Sequence, residues 1–132
     1  MYQFKIYKEI ELISIKLSGD VDFAEMVEVN LHLFASENFS RHYNGLSDLR
    51  DARININQQH IQQLRAAVAE LGELTGRWAH LSHSPRSVVL VQEYSEAVGD
   101  TQSIQAFDNL KDAEKFLGYE NLRPYLIRSL PR

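Results

Sequence analysis

The 132-residue chain contains no cysteine, only three prolines and only six glycines. The missing thiol excludes a disulfide scaffold, a thiolate zinc site, an iron–sulfur cluster and a cysteine nucleophile. No G-x-G-x-x-G, Walker or G-x-S-x-G pattern occurs, which argues against a phosphate cradle and against a strained serine elbow. No Pro/Gly/Ser tract marks a linker, and no repeat or low-complexity segment divides the chain. Apolar runs stay far below the roughly 20 residues that span a bilayer. Positive charge is also short: 14 Lys and Arg stand against 18 Asp and Glu, a net charge of -4. A broad nucleic-acid surface is therefore not expected. The opening MYQFKIYKEIEL has neither the form of a signal peptide nor that of an Arg-rich transit peptide, so a cytoplasmic location is expected.

What is present is an ordinary folding composition, 44% hydrophobic and 24% charged, long enough for one domain with a single core. Phe4 and Ile6 alternate with polar neighbours, and Leu12, Ile15 and Leu17 continue the strand-like pattern after Lys8–Ile10. Ser18-Gly19-Asp20 is expected to end the second strand. Asp22 then caps a helix carrying Phe23, Met26, Val27, Asn30, Leu31 and Phe34 at helical spacing. Leu46–Leu49 reads as a short third strand. Asn57 caps a second helix with Ile61, Leu64, Val68, Leu71 and Leu74 inward and Gly76 at its end. Val88–Val91, an unbroken apolar run, predicts a strand covered on both faces, with a weak helix from Glu93 to about Asp100. Ile104, Ala106 and Phe107 form a last strand, and Asn109 caps a helix that Gly118 closes. The order ββαβαβαβα implies an α/β domain over 1–118. Its sheet is mostly parallel, with an antiparallel N-terminal hairpin and about four helices.

Four segments carry a resemblance: Ile15–Gly19, Asp48-Leu49-Arg50-Asp51-Ala52, Val88–Val91 and Phe107–Gly118. On these the chain resembles the small bacterial SpoIIAA-like family, related to STAS domains and to the lipid-binding SEC14 fold. The resemblance implies a non-catalytic regulatory or protein-interaction module. Anti-sigma antagonists of the STAS type carry a phosphorylatable Ser at the start of the helix after the third strand. Here that stretch is Asn55-Ile56-Asn57-Gln58-Gln59-His60, without a hydroxyl, so a kinase switch is not expected. A small-molecule or lipid-binding domain is the alternative, although 132 residues leave little room for a SEC14-sized cavity. An unrecognised hydrolase is the third reading.

Candidate sites follow from the topology. Ligands of open parallel sheets sit beyond the carboxyl ends of the strands, which points to Asp20, Asp51, Arg53 and Tyr94 as a binding group. Asp and Arg so close in sequence also pair locally and pin a turn. His80 and His83 lie three apart without a neighbouring carboxylate, so neither a metal site nor a cofactor is expected. Acids gather on the helix that follows the second strand and again at Glu93 and Glu96. Arg41, His42, Arg77, His80, His83 and Arg86 are expected at the opposite edge, with Tyr43 and Trp78 among them. Trp and Arg concentrate at interface centres. Arg77, Trp78, His80, His83 and Arg86 are therefore expected to contact a protein partner, unless Trp78 folds back on the core. The tail 119–132, with Leu122, Tyr125, Leu126, Ile127 and Leu130, should dock on its own domain or across a homodimer interface.

Overall fold

A computed structural model describes residues 1–128; Leu130 of the tail lies outside them. Five strands pair in chain order: β1 (Tyr2–Tyr7), β2 (Leu12–Val21), β3 (Asn44–Ile54), β4 (Trp78–Leu81) and β5 (Ile104–Phe107). β1 and β2 are antiparallel, and all other pairs are parallel. The hairpin turns through a single 3-10 turn at Lys8–Ile10, closed by Glu11 in the left-handed conformation (φ 54°). Helices α1 (Phe23–Phe34), α2 (Gln58–Leu71), α3 (Pro85–Val98) and α4 (Leu110–Leu117) follow β2, β3, β4 and β5.

The alternation of strand side chains divides the molecule into three layers. Ile13, Ile15, Leu17, Leu49, Trp78 and Ile104 face a large core under α1, α2 and α3. Leu12, Leu46, Ala79 and Leu81 face the other side, where Ala113 and Leu117 of α4 and Leu122 of the tail cover them. Asp22, Asn57 and Asn109 each accept a hydrogen bond from the third backbone N–H of the helix they open, which fixes where α1, α2 and α4 begin. The tail lies along the α4 side. The Tyr119 hydroxyl donates toward the carbonyls of Ile10 (2.8 Å) and Glu11 (3.1 Å), and Tyr125 meets the Tyr7 ring edge-on.

Several elements differ from the sequence reading. β2 runs on to Val21 through a register shift between Lys16 and Ser18, so Gly19 and Asp20 pair with Ala52 and Arg53 rather than ending the strand. β3 reaches Ile54, where the sequence reading stops at Leu49. α2 ends at Leu71, and Gly72 (φ 128°) is its C-cap rather than Gly76. The largest correction concerns the fourth strand. Val88–Val91 is helical, inside α3, and the strand is Trp78–Leu81. Ser84 accepts from the Ser87 N–H and Pro85 occupies the first turn, a strong helix start that outweighs the β-branched run behind it. Within α3 the valines do not share one burial: Val91 is buried while Val89 is 49% exposed, as helical spacing requires.

Candidate functional site

The α1–α3 side of the sheet does not close completely. A chamber of about 120 Å³, partly open to solvent, lies between the sheet and the three helices. Its wall is largely apolar, with Leu33, Leu49, Leu64, Val91 and Ile104 contributing. Ser47 of β3 and Ser87 of α3 stand where larger apolar side chains would otherwise fill the space.

Trp78 and His80 reach this chamber from β4, two residues apart and so on the same face of the sheet. The Trp78 ring lies directly over Gly45, its partner on β3, where any side chain would collide with it. Only glycine at 45 lets the indole pack flat on the strand. Trp78 is 6% exposed, yet among the described residues its Nε1–H has no hydrogen-bond partner, and neither has the buried Nδ1 of His80. The two rings sit 6.4 Å apart between centroids. Burial pushes the His80 imidazole down to about 4, so it is neutral at physiological pH. Tyr94, on α3, also lines the chamber, and its phenol is pushed up to about 12 by burial. Beside it the Arg65 guanidinium grips Glu73 in a two-pronged pair (2.9 and 3.1 Å).

On the opposite face, toward the carboxyl ends of the strands, lies a wider, open hollow of about 540 Å³. Lys16, Asp48, Arg50, Asp51, His83 and Arg123 line it with the chain around Leu126. The Lys16 ammonium donates to Asp51 (2.8 Å) and reaches Asp48 at 3.5 Å. Arg50 clamps Asp48 through Nε (2.9 Å) and Nη2 (3.0 Å), and its backbone N–H adds a third bond. Burial raises the Asp48 carboxyl, but the Arg50 hydrogen bonds and the Lys16 charge outweigh it and hold the group below its usual range. Every charge in this network meets an opposite one, the arrangement that lets ions stay inside a sheet.

The expected carboxyl-edge group does not assemble. Asp20 and Arg53 form an exposed cross-strand pair at 3.9 Å, Asp51 belongs to the Lys16 network, and Tyr94 faces the chamber on the far side of the sheet. Nor is 76–86 one surface, because β4 carries the chain from one sheet edge to the other. Arg77, before β4, donates to the Phe116 carbonyl (2.9 Å) at the amino end. His83 and Arg86, after β4, reach the Asp108 and Ile56 carbonyls at the carboxyl end. Trp78 and His80 lie between, turned inward. The expected charge separation fails for the same reason, since Glu93 and Glu96 lie past the middle of α3 instead of opening it. The sequence reading missed the chamber. Its one available signal was the pair Trp78 and His80 at period-two spacing beside a glycine on a neighbouring strand. Among the described residues no group of three or more His, Cys, Asp or Glu could hold a metal ion, and no helix is long and apolar enough to cross a membrane.

This architecture is a SpoIIAA-like fold. An uncharacterized DUF3478-family protein with a SpoIIAA-like fold from Shewanella loihica PV-4 superimposes with a TM-score of 0.60 at 12% identity, over 88% of this chain and 93% of that one. The phosphorylated Bacillus cell fate determinant SpoIIAA aligns with a TM-score of 0.49 at 11% identity, over 87% of this chain and 98% of that one. No family model matches the sequence, and no curated protein matches it significantly.

Proposed function

We infer that this domain is a non-catalytic binding module that holds a small, mostly apolar molecule in the chamber between the sheet and α1–α3. The chamber carries the reading. An apolar space of about 120 Å³ costs at most about 3 kcal/mol if left dry, at about 24 cal/mol per Å³ for a closed cavity. Native domains have only about 5–15 kcal/mol of net stability, so an occupant that fills the space recovers a large share of it. The size is close to the roughly 150 Å³ of an apolar cavity that takes up benzene. The enclosed part of the ligand is therefore about six heavy atoms, far smaller than a whole lipid. Among the described residues no charged side chain lines the chamber, which favours an uncharged guest because an unpaired buried charge is too expensive.

Regulation by a phosphorylated helix terminus has no support in this chain. The N-terminus of α2 is closed on itself, Asn57 accepting from the His60 N–H and His60 Nδ1 accepting from the Asn57 N–H, with no hydroxyl from 55 to 60. A protein partner is the second reading. Leu31, Leu71 and Val89 favour it, one exposed large apolar side chain on each of α1, α2 and α3. Residues so scattered are also common on surfaces that bind nothing, and the chamber is the stronger feature. Its test is a benzene titration followed through the methyl resonances of Leu33, Leu64 and Val91. Saturable shifts that disappear in Val91→Phe, which fills the space, are expected. An absence of saturation in the native chain would overturn the reading.

A further inference from the structure

We propose that Trp78 and His80 form the polar end of the chamber and select a guest that carries a hydroxyl group. The inference rests on the chamber reading and adds the chemistry of its occupant. Buried polar atoms in native proteins are almost always hydrogen-bonded, and each exception calls for an explanation. Here the two exceptions among the described side chains are next-but-one neighbours on a single strand, and both belong to residues of the same chamber wall. Their rings are neighbours, with centroids 6.4 Å apart, so one small guest can lie against both.

The donor inventory narrows the group. Indole Nε1–H only donates, and a neutral imidazole Nδ1 donates or accepts according to its tautomer. A hydroxyl satisfies both arrangements: it accepts from Trp78 while donating to His80, or accepts from both. A carbonyl oxygen fits only when His80 carries its proton on Nδ1. A carboxylate would need a cationic partner, and among the described residues the wall offers none, since burial keeps the imidazole neutral. The remaining wall amides are occupied: Asn30 Nδ2 donates to the Met26 carbonyl and Gln102 Nε2 to that of Gly76. Besides the hydroxyls of Ser47, Ser87 and Tyr94, the β4 pair is the polar part of the wall whose buried nitrogens stand without partners among the described residues, and most of the guest meets hydrocarbon.

Phenol and benzene are suitable probes because they share a ring and differ by the hydroxyl alone. Phenol gives up hydrogen bonds to water on entry, so a chamber without polar partners prefers benzene. Trp78 is the only tryptophan, so its indole N–H gives one assignable resonance that can be titrated in the unaltered chain. The expected results at pH 7 are a phenol affinity at least tenfold above that of benzene and a downfield shift of the indole N–H with phenol alone. In Trp78→Phe, phenol should fall about tenfold while benzene changes less than threefold; in His80→Leu, phenol should again fall about tenfold. Equal binding of the two probes, or a phenol preference that survives Trp78→Phe, would overturn the hydroxyl assignment and leave the chamber reading in place. Binding of neither probe would overturn both.

Discussion

Acid should weaken this protein through His80 in a pH window that separates it from the carboxylates. In the unfolded chain a histidine takes up its proton near pH 6.5, whereas burial holds the folded imidazole neutral down to about 4. Between those values the unfolded state binds more protons than the folded one, so stability falls as pH falls. The full difference is available above 6.5, declines by about 1.36 kcal/mol per pH unit, and levels off below about 4. Over about 2.5 pH units the loss comes to roughly 3 kcal/mol, a large part of a small domain's stability. Asp48 acts lower. Burial raises its carboxyl, the Arg50 bonds and Lys16 charge lower it further than that, and its contribution persists until the pH drops through that depressed value. Urea unfolding at half-unit steps from pH 7.5 to 4 should show the decline in the native chain and a much flatter profile in His80→Leu. The variant should also be at least as stable at pH 7, because leucine removes an unpartnered nitrogen from an apolar wall. Parallel profiles for the two proteins, or a His80 ring resonance that titrates near 6.5 in the folded state, would refute the argument.

Three further outcomes test the framework around the chamber. Lys16→Met strands part of the Asp48 and Asp51 charge; it should cost about 3 kcal/mol in urea unfolding, the low end for a broken buried pair because Arg50 still clamps Asp48. Leu122→Ala removes a tail side chain that is 1% exposed against α4 and the sheet, and calorimetry should record a loss of about 3 kcal/mol. Gly45→Ala drives a methyl into the Trp78 ring, so the expected result is about 2 kcal/mol of destabilisation with a displaced indole N–H resonance.

The order of strands and helices was legible largely because three of the four helix starts are read from the side chains that cap them. Asp22, Asn57 and Asn109 are visible in the sequence and act as caps in the structure. The antiparallel hairpin and the parallel remainder followed from alternation and spacing, and the fold class with them. Strand ends were less legible: β2 and β3 continue through Gly19-Asp20 and Arg50–Arg53 because each supplies the other's hydrogen bonds, a dependence that no local pattern expresses.

The misplaced fourth strand is what concealed the chamber. A four-residue strand is too short to display a period, and Trp78-Ala79-His80-Leu81 carries a titratable side chain that suggests a surface. Val88–Val91 has the composition of a buried strand, so the stronger β signal lies on the wrong segment, and the Ser84-Pro85 helix start beside it overrides that signal. Exchanging the two reverses the meaning of the same residues. With Val88–Val91 as the strand, Trp78 and His80 belong to an exposed loop and imply a protein contact. With Trp78–Leu81 as the strand, they lie on the inner face of the sheet, their nitrogens have no partner, and the small side chains Ser47 and Ser87 leave space in front of them. A side chain with both an apolar body and a polar tip is ambiguous in sequence because either environment accepts it. Only the sheet register, which sets Trp78 against Gly45 and His80 against Ser47, turns these two toward the chamber under the helices rather than toward solvent.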